Sequence, residues 1–228
     1  MADKPRVKAP KQRTATVDER DRRRRRLAMA AGVLGLVLGF VAVGALLGFV
    51  GGGADHAKQE AAARTKLVAA GCTLRDFKGV SRQHIGDPAA RPEAWNSFPP
   101  TSGPHYVTPA VYGFYPDPVE LARILHGLEH GGAFMLYGPK APADTADRLR
   151  EIYNRDPRGL VVAPLPELGN KIALGAWTSQ APGSELVGVG HVAKCTAVDK
   201  QAVEAFLSAY RGRGPETDNL DLLQPGGT

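Results

Sequence analysis

Glu120 to Tyr137 reads ELARILHGLEHGGAFMLY, and inside this stretch the spacing of apolar residues changes once. Leu121, Ile124, Leu125 and Leu128 recur at intervals of three and four, the period of one helical face. Gly131 and Gly132 follow, and glycine readily takes the left-handed conformation on which many helices stop. Ala133 to Tyr137 is then continuously apolar and suits a buried strand. A helix over Glu120–Glu129 therefore feeds a core strand. Beyond it, Pro142 introduces a helix over Ala143–Tyr153, at a place where its missing N–H costs nothing. Leu160–Leu165, Lys171–Thr178 and Gly188–Thr196 read as strands, and Asp199 is placed to cap a last helix, Asp199–Tyr210. The order β-α-β-β-β-α, behind a Pro- and Gly-rich front half from Thr73 to Pro118, predicts an α+β domain with a small sheet and helices on one face.

The chain ahead of this domain has a different character. Arg22 to Arg26 run directly into Leu27–Val50, 24 residues without a charged or strongly polar side chain. About 20 apolar residues suffice to cross the hydrocarbon of a bilayer. Arginines at one end hold that end on the cytoplasmic side, so the residues after Val50 are expected outside. The apolar run is about twice the 7–15 residues of a signal-peptide core, which favours a retained anchor over a cleaved leader. Gly35/Gly39 and Gly44/Gly48 have the G-x-x-x-G spacing but fall on different sides of a helix, so no single dimer seam is specified.

Residues 1–26 carry 11 basic and 4 acidic side chains, leaving 18 basic and 19 acidic for the remainder. The basic balance thus belongs to a disordered cytoplasmic tail suited to anionic lipid headgroups. Nucleic acid is excluded as a partner of the domain, since phosphate binding needs clustered positive charge. The predicted organisation is a tail over 1–26, a membrane helix over 27–50 and an exposed helical stalk within 51–71. An extracytoplasmic domain over 72–216 and a disordered tail over 217–228 complete it.

The chain has two cysteines, Cys72 and Cys195, both after the apolar run. In an oxidising exterior such a pair reads as a disulfide. A metal site through His191 and Cys195 is disfavoured, because the ends of a five-residue strand are about 13 Å apart.

Two blocks concentrate histidine. PPTSGPHY, Pro99 to Tyr106, holds His105 on a turn-rich loop, and HGLEHGG, Gly132 at its end, places His126 and His130 one helical turn apart. That spacing lets two imidazoles reach one ion. Glu129 is three residues from His126 and is expected to orient its ring from outside the ligand set. Met135 would add a soft donor for Cu(I) if it faced the same way, although a Met in AFMLY is ordinarily core. The competing reading is structural, with the imidazoles bonding the last carbonyls of the helix. His56 and His84 lie in polar stretches and are read as solvated. His126-x-x-Glu129-His130 also has the H-x-x-E-H letters of inverted zinc proteases, for which Glu204 stands at a feasible distance as a further acid. Against this, Gly131 and Gly132 stop the helix that such a mechanism needs.

PPTSGPHY, the GFY turn at Gly113, ILHGLEHGGAFMLY, PLPEL, Ala176-Trp177 and AVEAFLSAYRGRGPE together resemble domain-of-unknown-function family 3105, a group of bacterial, often actinobacterial, membrane-anchored proteins. The resemblance covers about residues 72–216. It implies one external domain after one membrane span and lends no activity. The chain departs from the pattern at Thr178, where a glycine is common, and at His191.

The leading expectation is a single-pass membrane protein whose external domain binds zinc or copper through His105, His126 and His130. The alternative is a non-enzymatic cell-envelope interaction module in which the histidines pin a loop to a helix, its protein partner unspecified. An H-x-x-E-H metallohydrolase ranks behind both.

Overall fold

A computed structural model describes residues 55–86, 95–179, 187–217 and 219–228. The expected tail (1–26) and membrane span (27–50) lie outside the described residues, among which no helix is long and apolar enough to cross a membrane. The unit that ends at Thr228 carries the fold.

It opens with a helix over residues 55–69, α1. Next come β1 (Thr73–Lys78), two short pairing strands, β2 (His84–Ile85) and β3 (His105–Tyr106), and then β4 (Gly113–Phe114). The second half runs α2 (Leu121–Glu129), β5 (Ala133–Tyr137), α3 (Thr145–Arg155), β6 (Leu160–Pro164), β7 (Ile172–Thr178), β8 (Val189–Cys195) and α4 (Lys200–Tyr210). Six strands form one mixed sheet in the order β1-β8-β7-β5-β6-β4, and β2 pairs with β3 apart from it. β5 and β6 run parallel with α3 as the crossover, while β7, β8 and β1 add antiparallel to the other side. The domain is therefore α+β, as the alternation of periods predicts.

β5 shows how the core divides. Alternate side chains of a strand leave opposite faces. Ala133 and Met135 join Leu149, Ile152, Phe206 and the helix-α1 residues Ala63 and Leu67 on one face. Phe134 and Leu136 join Ile124, Leu125, Leu128 and Trp177 on the other. Helices thus cover both faces of the sheet, not one as the element order had suggested. α1, α3 and α4 lie on one side and α2 on the other. The sequence pattern does not reveal this, because side of packing depends on which way each connection turns.

Two other expectations are corrected. α1 is no exposed stalk: its Ala63 and Leu67, one turn apart, are fully buried. Arg64 and Glu60 of the same helix reach Asp76 and Arg213, each at 2.7 Å. β1 emerges from the front half as a six-residue edge strand held by β8. Nor is the C-terminal segment loose. Leu223 is buried, and the Tyr112 amide donates to the Gly227 carbonyl at 2.9 Å. The expected disulfide is present: Cys72, just before β1, is bonded to Cys195 at the end of β8.

Candidate metal centre

The turn-rich PPTSGPHY block ends in β3, whose two residues are both buried. β3 lies against α2, and β2 lies beside β3 in parallel register, with His84 opposite His105. Residues opposite each other in a sheet project to the same side, so this register brings the two imidazoles together. Gly131, at φ +91°, ends α2 immediately after His130. Gly132 then follows without space for a side chain, since a Cβ there would stand 2.7 Å from the Gly127 carbonyl oxygen and 2.7 Å from the Tyr112 ring. The close turn fixes the end of α2, with its histidines and Glu129, against β5.

Four side chains converge above this helix end. His84, His105, His126 and Glu129 each offer one donor atom, and all four atoms lie within 4.8 Å of one another. His105 Nε2 is 3.0 Å from Glu129 Oε2, and His84 Nε2 is 3.4 Å from the same oxygen. Donors bound about 2.0–2.1 Å from a tetrahedral zinc stand roughly 3.3 Å apart, so these separations are of the right size. The His84 ring meets His105 edge to face, 4.8 Å between centroids, and stacks on His126 at 4.7 Å.

The outer contacts settle which atom each ring presents. His105 Nδ1 lies 2.9 Å from the Gly103 carbonyl, and His126 Nδ1 lies 2.7 Å from the Tyr106 carbonyl. A carbonyl only accepts, so both Nδ1 atoms carry a proton and Nε2 is the atom each ring leaves for an ion. Metal-bound histidines are held in this way by a carbonyl behind the ring. Glu129 is anchored likewise: Arg82 Nε donates to its Oε1 at 2.7 Å, leaving Oε2 toward the rings. His105 and Glu129 are essentially inaccessible, yet His105 Nε2 and Glu129 Oε2 have no hydrogen-bond partner of good geometry. Burying polar atoms unpaired costs roughly 1–3 kcal/mol each, a cost that a bound cation would remove.

The charges follow the same pattern. Burial pushes the Glu129 carboxyl up, but His105 and Arg82 outweigh it and hold the group at about 2. Burial also lowers the His126 pKa, and the neighbouring imidazoles of His130, His105 and His84 add to that. An ionised carboxylate among imidazole nitrogens is a donor set that suits a divalent cation.

The structure places the sequence-derived candidates as follows. His105 and His126 fall within the cluster. His130 Nε2 stands 3.2 Å from His126 Nε2 but also 3.0 Å from Glu216 Oε2, and it lies outside the group of four. Glu129 does not orient the His126 ring, which the Tyr106 carbonyl holds, and its free oxygen sits among the donors. Met135 faces the opposite side of the sheet. Glu204, the further acid of a protease reading, pairs with Arg155 at 3.1 Å on α4. His191 lies between Asp76 and Thr178, 2.9 Å from each, and Cys195 is committed to the disulfide. The expectation of a merely solvated His84 is corrected: its ring joins the cluster while its side chain stays 42% exposed. Only its register with His105 marks it, and a two-residue strand in a polar stretch carries no periodic signal.

The model of a family described as protein of unknown function (DUF3105) matches residues 89–221. The chain belongs to this family. The DUF3105 match contains His105, His126, Glu129 and His130, whereas His84 and Cys72 precede it. No curated protein and no solved structure matches the chain.

Proposed function

We propose that the DUF3105 domain of this chain binds a single transition-metal ion through His84, His105, His126 and Glu129, and that the ion is zinc. The observation that carries the reading is the convergence of four donor atoms within 4.8 Å of one another, with His105 and His126 each turned by an Nδ1–carbonyl contact so that Nε2 is the atom left for an ion, and with His105 Nε2 and Glu129 Oε2 buried without a hydrogen bond. Three imidazoles and one carboxylate make a four-donor set of the kind zinc takes. Copper(I) is disfavoured, because the only thioether near in sequence, Met135, packs on the far face of the sheet. His130 then serves as the neighbour that ties the cluster to Glu216.

The test is elemental analysis of the purified full chain. Wild type should carry about one zinc per chain, and His105→Ala with His126→Ala should carry almost none. Equal, sub-stoichiometric metal in both would refute the proposal. If the histidines are only structural, added chelator will leave the melting temperature of wild type unchanged.

We further propose that Leu27–Val50 spans a cell membrane once, with residues 1–26 in the cytoplasm and the domain outside. The apolar length, the five arginines before it and the disulfide support this topology. A reporter active only outside the cytoplasm, fused at Thr228, should give signal. Signal from a cytoplasmic reporter instead would reverse the orientation.

A further inference from the structure

The four donors of the cluster are not held alike. His105 is anchored by the Gly103 carbonyl, His126 by the Tyr106 carbonyl and Glu129 by Arg82. All three are buried, at 0%, 6% and 1% exposure. The His84 side chain is 42% exposed, and among the described residues no carbonyl stands behind its ring as one does behind His105 and His126. It touches the cluster only through the 3.4 Å approach to Glu129 and through ring packing. It also stands on a two-residue strand, while His126 and Glu129 are built into a helix fixed against the sheet.

From this asymmetry we infer that the centre has three fixed ligands, His105, His126 and Glu129, and that His84 is a displaceable fourth whose place an exogenous nitrogen or oxygen donor can take. The inference rests on the metal-binding reading proposed above. Physical chemistry separates the two kinds of ligand. A ring locked by burial and a second hydrogen bond keeps its lone pair aimed when the metal bond breaks, so rebinding is immediate. An exposed ring without such an anchor regains rotamer freedom and hydration on release, and both favour the open form. Three protein ligands with one exchangeable position distinguish reactive zinc centres from closed structural ones. The incoming donor would be a small base such as imidazole or a carboxylate, arriving from the solvent side that His84 occupies.

Cobalt(II) makes the coordination visible. The full chain is stripped with chelator and loaded with cobalt, as wild type and as His84→Ala. Cobalt in wild type, and its absence from His105→Ala, test the metal reading by itself. Given that, His84→Ala should retain cobalt with affinity lower by no more than about 10–100-fold, the range seen when a metal site's supporting groups are removed. Its visible spectrum should differ from wild type, and added imidazole should shift it back. His84→Asn guards against a folding defect peculiar to alanine and should behave the same way. Loss of cobalt from both His84 variants would show that His84 is as indispensable as the buried ligands and would overturn the inference. A spectrum unchanged by either substitution and unmoved by imidazole would overturn it too, because His84 would then be no ligand.

Discussion

Glu129 shows how much one side chain carries at the residue scale. It meets Arg82 with one oxygen and the imidazoles with the other, at the buried end of α2. Glu129→Gln keeps the shape but removes the charge that Arg82 and the ion both require. Without metal, it should destabilise the domain by about 1–3 kcal/mol in denaturant unfolding, and with metal it should lose zinc as well. The pH dependence has a definite sign. The folded group titrates at about 2 against 4.5 when unperturbed, so the native state favours the ionised form. Its contribution is complete above the unfolded value and fades as pH falls from about 4.5 toward 2. Melting of the chelator-treated chain should therefore drop more steeply across that window in wild type than in Glu129→Gln, and parallel curves would contradict the assignment. His105, His126 and Glu129 were recognisable in sequence because they fall in compact blocks. The role of Glu129 was not, because chain spacing places it beside His126 while the fold aims its carboxylate at His105.

At the scale of elements, the second half of the chain was legible almost residue by residue. β5 falls on Ala133–Tyr137 as its apolar run predicts, and Asp199 caps α4 by accepting from the Ala202 amide at 2.9 Å. Each of these signals is local, a period or a cap, so it survives without tertiary information. α1 was legible as a helix but not as a packed one. In DHAKQEAAARTKLVAA the buried stripe amounts to Ala63 and Leu67, too narrow to stand out against good helix-forming residues. Leu67→Ala should cost about 2–5 kcal/mol, as for other buried leucines. A loss under about 0.5 kcal/mol in urea unfolding would return α1 to the status of a solvated stalk. β2 and β3 were invisible, since two residues are too few for alternation and the pairing joins residues far apart in sequence, His84 with His105.

For the molecule as a whole, the disulfide ties the edge strand β1 to β8 across 123 residues of sequence. In the chain-entropy account a loop of that length is worth about 4–5 kcal/mol, obtained by restricting the unfolded chain. Cys72→Ser with Cys195→Ser should lower unfolding free energy by up to that amount, and an unaltered urea midpoint would show that the ladder alone holds β1. The amino-acid sequence by itself determined the α+β class, the main helices and strands, the cysteine pairing and two of the four clustered donors, because period, caps and composition act over a few residues. Tertiary structure alone decided that helices cover both sheet faces, that α1 and the C-terminal segment pack onto the domain, and that His84 joins the cluster while His130 turns to Glu216. Those outcomes depend on the direction of each connection and on register between distant strands, and neither is written in any short stretch of chain.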